Sequence, residues 1–218
     1  MSSRSSVPTN HAAHHPRTIS PHANGRLPSK PAAAYRQRDN RNGLGTPFNA
    51  PEVWHEPRGT EQLRIAIQPA GSGYVHPVTE SEVRARLNQL PRHFTRDLEV
   101  VQFSRMTRKR QAFPCYGMQW GTTVYLYPIE DTLVETYSAP PKPAQQVEAR
   151  MFGARWAQNG NVWTLTWTAD AIKDFYLNNV LIHEVGHLND PRNTSYRERE
   201  RYANWFAIEH GFRASRGR

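Results

Sequence analysis

The sequence predicts an α+β fold, in which a mixed, twisted sheet packs on a long helix near the C-terminus and a further helix follows. Three observations support this prediction. A capping signal and a helical apolar pattern begin at Thr79, short β-rich runs separated by turn residues fill the middle of the chain, and helical periodicity returns from Thr168. Strands grouped before a pair of helices are typical of an α+β domain.

The composition limits the classes of protein that the chain can represent. It has 218 residues and a net charge of +9, and residues 1–60 contain eight Arg or Lys against three acidic residues. The length suits one domain with additional tail. Cys115 is the only cysteine, so an intrachain disulfide and a thiolate-rich zinc site are excluded.

Three segments follow from the distribution of apolar residues. Residues 1–45 are predicted to be a disordered, basic, low-complexity tail, because they are rich in Ser, Pro, Asn, His and Arg. Residues 46–76 form a lead-in with one strand at 63–67, and residues 77–212 form the main domain. No apolar run is long enough for a membrane span or a signal peptide, which favours a cytoplasmic protein without membrane association.

The first helix begins at a capping box formed by Thr79 and Glu82 and ends at Pro91. The next segments are predicted to be strands 98–103 and 122–127, with a solvated basic turn at 105–110 between them.

Asn159-Gly160 predicts a tight type I′ hairpin between strands 151–158 and 162–168. The three tryptophans of these strands are expected in the core or on a sheet face rather than in a base-stacking surface; they are Trp156, Trp163 and Trp167.

Two helices are predicted in the C-terminal part of the sequence. Thr168 begins a helix that runs to about residue 189 and ends before Asp190-Pro191, since proline disfavours the helical conformation of the residue before it. Ser195 and Glu198 form a second capping box at the start of a helix that continues to about residue 210.

The first of these helices contains the motif His-Glu-x-x-His at residues 183–187. His183 and His187 are four residues apart, so both imidazoles project from one helix face and can bind one zinc ion. Glu184 lies about 100° around the helix, where it can act as general base on a zinc-activated water. The chemistry predicted is hydrolysis; the alternative is a histidine pair that only packs inside a buried helix.

A catalytic zinc usually takes three protein ligands and a water. Glu200, thirteen residues after His187 in the last helix, is the predicted third ligand. Asp190 is a less favoured ligand, because its place at a helix end suits a cap or a supporting contact. Glu198 is accounted for by the capping box.

The run Glu200-Arg201-Tyr202-Ala203-Asn204 matches the Glu-x-x-Ala/Ser-Asp/Asn pattern of the zincin metallopeptidases of the gluzincin type, and the chain resembles that family over residues 168–210. The resemblance implies a zincin-like domain, one zinc ion, and a role for Asn204 in orienting an imidazole. It disfavours the metzincin branch, because Asp190 and Asn193 stand where that branch has Gly and His.

Two parts of the site stay open at this point. Tyr196 and His210 are the candidates for stabilising the transition state. Strand 122–127 or strand 151–158 is expected to pair with an extended substrate by strand addition, as in zincins.

The sequence therefore predicts zinc-dependent hydrolysis of peptide or protein substrates, with Glu184 as general base. The alternative is a zincin-scaffold binding module with a structural zinc, in which the basic tail and the basic turn hold a protein partner or nucleic acid. Nucleic acid is the less favoured partner, because the arginines are scattered rather than clustered.

Overall fold

The computed structural model describes residues 50–60 and 62–217. The predicted tail 1–45 lies outside the described residues. The protein has a mixed α+β architecture with one sheet of four strands, one of two and one of three. None of the described helices combines the length and the apolar character needed to cross a membrane.

Nine strands and seven α-helices are described. The strands are β1 Arg64–Ile67, β2 Tyr74–Val75, β3 Val100–Phe103, β4 Gly117–Trp120, β5 Thr123–Leu126, β6 Ile129–Glu130, β7 Val134–Tyr137, β8 Arg155–Asn159 and β9 Val162–Thr166. The α-helices are α1 Glu80–Asn88, α2 Arg92–Thr95, α3 Arg108–Ala112, α4 Pro143–Met151, α5 Ala169–Phe175, α6 Leu181–Leu188 and α7 Tyr196–Ala207. Two π-helical segments, Tyr176–Val180 and Ile208–Arg213, and a 3₁₀ turn, Ala214–Arg216, complete the C-terminal part.

The four-stranded sheet has the order β1-β3-β5-β4. β1, β3 and β5 are parallel, whereas β4 is antiparallel to β5 and forms an edge. The sheet is therefore mixed, as predicted. β1 and β2 both come from the lead-in 46–76, which was expected to contain one strand, and β1 is part of the main sheet.

One face of this sheet packs on helices and forms the main core. Val101 and Val124 of the sheet contact a buried cluster that includes Val83 of α1, Phe175 of α5 and Leu181 of α6. This cluster places the helix that carries the His-Glu-x-x-His motif directly against the sheet.

The opposite face of the sheet is covered by residues 50–59, which we call the strap. The Tyr125 hydroxyl donates to the Val53 carbonyl at 2.8 Å, and Arg110 Nε donates to Glu52 Oε1 at 3.1 Å. The rings of Trp54 and Trp120 meet edge to face at 5.9 Å. The strap is thus held mainly through side chains and leaves β4 without a strand partner on its outer side.

The first predicted helix is confirmed, including its capping box. Glu82 N–H donates to the Thr79 hydroxyl, and Thr79 N–H donates to the Glu82 carboxylate at 2.8 Å. Strands β3 and β5 lie inside the predicted ranges 98–103 and 122–127.

The prediction of a solvated basic turn at 105–110 is wrong in part: Arg105 and Arg108 are exposed, but residues 108–110 belong to a helix and Arg110 is buried. Thr107 caps the short helix α3 by accepting from Arg110 N–H at 3.2 Å. Arg110 is only 5% exposed because its guanidinium pairs with Glu52 of the strap. Lys109 Nζ donates to the Ala50 carbonyl at 2.6 Å.

The predicted hairpin is present, but its details differ. Met151 ends α4, so the first strand starts later than expected and runs over Arg155–Asn159. Asn159 pairs with Val162, which makes Gly160 and Asn161 the turn residues. Only Gly160 has a positive φ, 59°, whereas type I′ requires it at both positions, so the predicted turn type is wrong. As expected, the three tryptophans are buried or packed against the core; they are Trp156, Trp163 and Trp167.

The long helix predicted from Thr168 to about residue 189 is present but divided. Thr168 caps α5 through its hydroxyl, which accepts from Ala171 N–H at 3.1 Å. The π-helical segment Tyr176–Val180 then separates α5 from α6. A π turn contains an extra residue, and a 3.6-residue apolar pattern cannot indicate where it is inserted.

The last helix also differs in part. Ser195 caps α7 by accepting from Glu198 N–H at 3.3 Å, but the Glu198 carboxylate pairs with Arg201 at 3.3 Å. The second capping box is therefore only half formed. The α-helix ends at Ala207, and a π-helical segment covers the predicted end at residue 210.

Candidate metal centre

Three side chains from α6 and α7 converge on one point. The Nε2 atoms of His183 and His187 are 3.1 Å apart. Glu200 Oε1 lies 3.3 Å from His187 Nε2, and Glu200 Oε2 lies 3.7 Å from His183 Nε2. One ligand atom from each residue lies within 4.8 Å of the others. The structure thus brings together the three residues proposed as metal ligands.

The group is buried because α6 and α7 approach closely at Gly186. A Cβ at Gly186 would lie 3.1 Å from Ala203 Cα and 3.0 Å from Phe206 Cβ. Only the absence of a side chain allows this approach. Glu200, one turn before Ala203, therefore reaches the two imidazoles, and its side chain is 12% exposed.

The donor set fits a zinc ion. Two imidazole nitrogens and one carboxylate oxygen are typical protein ligands of a catalytic zinc, which keeps a fourth position for water. Within residues 50–60 and 62–217, no other group of three or more His, Cys, Asp or Glu side chains lies close enough to hold a metal ion.

Glu184 is buried beside this group, with 1% of its surface exposed. Burial, and then the charge of Glu200, raise the pKa of the Glu184 carboxyl well above its usual range. The backbone N–H of Gln119 and the charge of Arg199 act in the opposite direction on this pKa. Glu184 Oε1 makes no hydrogen bond within the described part of the chain. One oxygen of Glu184 is therefore open to take a proton.

Strand β4 passes over Glu184, and Gly117 makes this possible. A Cβ at Gly117 would lie 2.7 Å from Val180 Cγ1 and 3.0 Å from both Glu184 Cγ and Glu184 Oε1. Any larger residue would have to displace the carboxyl group or a buried valine. Gly117 thus sets the distance between the edge strand and the proposed general base.

One side of β4 has no strand partner among the described residues. Tyr127 N–H donates to the Tyr116 carbonyl at 2.8 Å, so positions 116, 118 and 120 pair with β5. In an antiparallel ladder the alternate residues, Gly117 and Gln119, direct their N–H and C=O groups away from β5. Since β4 is the edge of the sheet, these groups face its open side next to α6.

The inward face of α7 adds two further side chains. Tyr196 lies one turn before Glu200; burial, and then the charges of Glu200 and Glu184, raise the pKa of its phenol. Arg199 Nη2 donates to Gln119 Oε1 at 3.5 Å and to the His187 carbonyl at 3.4 Å. Of the two predicted transition-state stabilisers, Tyr196 therefore lies near the metal ligands.

The structure does not bring His210 to the site. Its ring packs on Phe206 at 4.5 Å and on Phe94 at 4.7 Å. It follows Glu200 by ten residues, which is about 15 Å along a helix. His210 packs in an aromatic cluster, and none of its described contacts joins it to the metal ligands.

Two other predicted contacts can be compared with the structure. Asn204 is exposed on α7, and its side chain makes no hydrogen bond to an imidazole within the described residues. The Asp190 carboxylate accepts from Asn193 N–H at 3.2 Å and from Asn193 Nδ2 at 2.9 Å. Asp190 thus stabilises the turn after α6, in agreement with the favoured interpretation.

The strands proposed to bind substrate also need correction. β5, inside the predicted strand 122–127, pairs with β3 on one side and β4 on the other, so it has no open edge. β8, from the predicted strand 151–158, belongs to the separate sheet β7-β9-β8. The edge strand beside Glu184 is β4, which was not predicted as a strand.

Sequence reasoning missed Gly117, Gln119 and Arg199. Arg199 stands in an arginine-rich helix, between Arg197 and Arg201, where a solvated face is the ordinary expectation. Its spacing of three residues after Tyr196, which itself precedes Glu200 by four, is the one signal that could have indicated it.

The chain matches no protein-family model, and comparisons with curated proteins and with solved structures found no match.

Proposed function

We propose that this protein is a zinc-dependent peptidase with a zincin-like fold of the gluzincin type. The observation that carries the proposal is the convergence of His183, His187 and Glu200, with Glu184 beside them and an open edge strand above. The two imidazoles and the carboxylate of Glu200 would hold one zinc ion. When bound, zinc supplies a water of lowered pKa and polarises the scissile carbonyl.

The role proposed for Glu184 is to move a proton. Its carboxyl has one oxygen without a hydrogen-bond partner in the described residues and is close to the ligands. It would accept the proton of the attacking water and pass it to the leaving amine.

The substrate proposed is a peptide in extended conformation. The outward C=O groups of β4 and the N–H of Gly117 would pair with it by strand addition, which places one peptide bond of the substrate above Glu184, to which the N–H of Gln119 is already directed. Tyr196 would donate a hydrogen bond to the developing oxyanion, since it lies one turn before Glu200 and a phenol is protonated at neutral pH.

The alternative function, a binding module with structural zinc, loses part of its support. It relied partly on the basic residues of 105–110, but Arg110 is buried against Glu52 and Lys109 donates to the Ala50 carbonyl. These two charges hold the strap to the sheet. They do not form an exposed surface for phosphate.

Elemental analysis of the purified protein tests the proposal. We expect about one zinc per chain in the unmodified protein and in Glu184→Gln, because the zinc site has three protein ligands and Glu184 is not among them. We expect zinc to be lost from His183→Ala and Glu200→Ala. Cleavage of an unstructured peptide mixture should occur only with the unmodified protein.

Two results would contradict the proposal. If the unmodified protein binds no zinc after zinc is added back, the metal site is wrong. If Glu184→Gln cleaves peptides as fast as the unmodified protein, the assignment of the general base is wrong.

A further inference from the structure

Arg199 is a cation inside the site that the proposed mechanism does not use. Its guanidinium lies between the edge strand and the end of α6, where it donates to Gln119 Oε1 at 3.5 Å and to the His187 carbonyl at 3.4 Å. Its charge is close enough to lower the pKa of Glu184. Arg199 therefore faces the same space as the general base.

Within residues 50–60 and 62–217, no carboxylate lies within ion-pair distance of Arg199. Both of its hydrogen bonds go to neutral oxygens and are longer than the usual 2.7–3.2 Å. By contrast, Arg110, the buried arginine under the strap, pairs with Glu52 at 3.1 Å. A partly buried guanidinium beside the edge strand and Glu184, with only weak neutral acceptors, is suited to an anionic ligand.

We propose that Arg199 binds a carboxylate of the peptide substrate and so makes the enzyme selective for peptides that carry one. This inference rests on the proposed peptidase function. The planar guanidinium forms two parallel hydrogen bonds to a carboxylate, and this geometry gives recognition as well as charge attraction.

The position of Gln119 indicates how far the carboxylate bound by Arg199 lies from the scissile bond of the substrate. The backbone N–H of Gln119 lies close enough to Glu184 to lower the pKa of that carboxyl, while the side chain of Gln119 accepts from Arg199. The scissile bond above Glu184 and the carboxylate at Arg199 therefore lie near the same residue of β4. A strand advances about 3.3 Å per residue, so the carboxylate belongs within about two residues of the scissile bond. It comes either from an acidic side chain or from the C-terminus of the peptide.

In a purely structural role, Arg199 would only connect α7 to α6 and β4 through hydrogen bonds. Such hydrogen bonds require donors but no charge, so a glutamine at position 199 could form some of them. Binding of a carboxylate requires the charge. Arg201 provides a matched control, because it lies on the same helix but is exposed and pairs with Glu198 at 3.3 Å.

The experiment measures equilibrium binding rather than cleavage. Zinc-loaded protein carrying Glu184→Gln is titrated with fluorescent peptides that differ in one group. In the first pair, the residue beside the central peptide bond is Glu in one peptide and Gln in the other, and both peptides have an amidated C-terminus. The other pair has a free or an amidated C-terminus two residues from that bond. Anisotropy gives the dissociation constants, and the pair that shows a difference identifies the source of the carboxylate.

We expect one carboxylate peptide to bind about tenfold or more tightly than its neutral match, as is typical of a charge-assisted hydrogen bond. Adding Arg199→Gln should abolish this difference, whereas adding Arg201→Gln should leave it intact. Arg199→Lys should reduce it without reversing it, because the charge stays and the planar geometry is lost.

Equal binding of matched peptides by Glu184→Gln overturns the inference about Arg199 and leaves the peptidase proposal standing. A preference that survives Arg199→Gln overturns it as well. If Arg199→Gln fails to fold, Arg199→Lys carries the test, and an unchanged preference there overturns bidentate binding. Failure of every peptide to bind the zinc-loaded protein overturns the inference and the proposed function together.

Discussion

At the scale of single residues, Glu184 is held between α6 and β4. Gly117 allows the strand to approach within contact distance of its carboxyl group, and the backbone N–H of Gln119 lowers the pKa of that carboxyl. Glu184 Oε1 lies next to Gly117 and makes no hydrogen bond within the described chain. A glycine that no motif includes is therefore as important for the geometry of the base as the motif residues are.

Glu148 of α4 supplies a test by pH. Burial raises its pKa from 4.5 to about 7, while the hydrogen bond from Asn179 Nδ2 at 2.7 Å acts against this shift. Below about pH 4.5 the carboxyl is protonated in both the folded and unfolded states, so its contribution to stability is fully present. As the pH rises from about 4.5 through 7, the carboxyl loses its proton in the unfolded state before it does so in the folded state. This contribution to stability is therefore lost over that range.

We therefore expect Glu148→Gln, which keeps the acceptor for Asn179, to be more stable than the unmodified protein at pH 8. The gain should be about 1–3 kcal/mol and should vanish below about pH 4.5. Urea unfolding at pH 4.5, 6, 7 and 8 measures it. Glu80→Gln is the control, because its surface pair with Arg84 contributes less than about 0.5 kcal/mol. A constant difference across this range would contradict the assignment.

The residues of the candidate site were predictable to different degrees. His183, Glu184 and His187 follow from spacing on one helix, and Glu200 follows from the pattern around it. Gly117 and Arg199 act through contacts between elements that are far apart in the sequence, and no local pattern encodes such contacts. The sequence did not indicate the packing of His210, because a histidine near a helix end can serve either packing or chemistry.

At the scale of elements, the two π-helical segments lie against each other. A Cβ at Gly211 would collide with the carbonyl of Asn178, so the second segment can cross the first only at a glycine. Arg86 of α1 connects both segments, because it donates to Asn178 Oδ1 at 2.6 Å and to the His210 carbonyl at 2.5 Å. This junction fixes α6 and α7 relative to each other beyond the metal ligands.

Gly186→Ala tests the distance between α6 and α7. The added methyl group would press on Ala203 and Phe206 and move Glu200 away from the imidazoles. We expect a loss of stability of about 1–3 kcal/mol. Zinc affinity should fall about tenfold or more, as measured by competition with a chelator, because one ligand is displaced while two remain.

Ile172→Val is the matched control for Gly186→Ala. It removes one buried methylene group in α5 at a cost of about 0.5–1.5 kcal/mol, without changing the contact between α6 and α7. Its zinc affinity should equal that of the unmodified protein. If both variants lose affinity to the same extent, stability rather than helix spacing determines zinc binding.

Elements with strong local signals were predictable and those without them were not. α1 has a complete capping box, and β3 and β5 are apolar runs with clear limits. α4 starts at Pro143 within a proline-rich run that resembles a loop, although proline is favoured at the first turn of a helix. Arg110 of α3 pairs with Glu52 of the strap, which lies more than fifty residues earlier in the sequence, so its burial could not be predicted locally.

At the scale of the whole molecule, the main sheet is covered on both faces by different means. Helices cover one face, and the strap covers the other, where Tyr125 and Tyr127 are almost completely buried. The strap also supplies backbone N–H groups to the buried carboxylate of Glu99, from Arg58 at 2.6 Å and Gly59 at 2.8 Å. The described part of the lead-in is therefore part of the fold.

Truncation tests this conclusion. We expect a chain that begins at residue 50 to keep its zinc content and its melting temperature within a few degrees. A chain that begins at residue 60 should lose about 3–5 kcal/mol or fail to fold, because Arg110 loses its only carboxylate partner in the described chain. Thermal melts and the soluble fraction measure the difference.

Arg58→Ala is the control for the truncation, since Arg58 is exposed and binds Glu99 through its backbone only. Its melting temperature should match that of the unmodified protein. Equal stability of the chains beginning at residues 50 and 60 would show that the strap adds nothing to the fold.

The open edge of β4 has a further consequence for handling the protein at high concentration. Unpaired backbone groups on an edge strand can pair with the same strand of another molecule and start aggregation. β4 limits this risk in two ways: it has only four residues, and it contains Gly117, which disfavours a flat, extended strand. The glycine that admits Glu184 therefore also helps to keep the protein dispersed in solution.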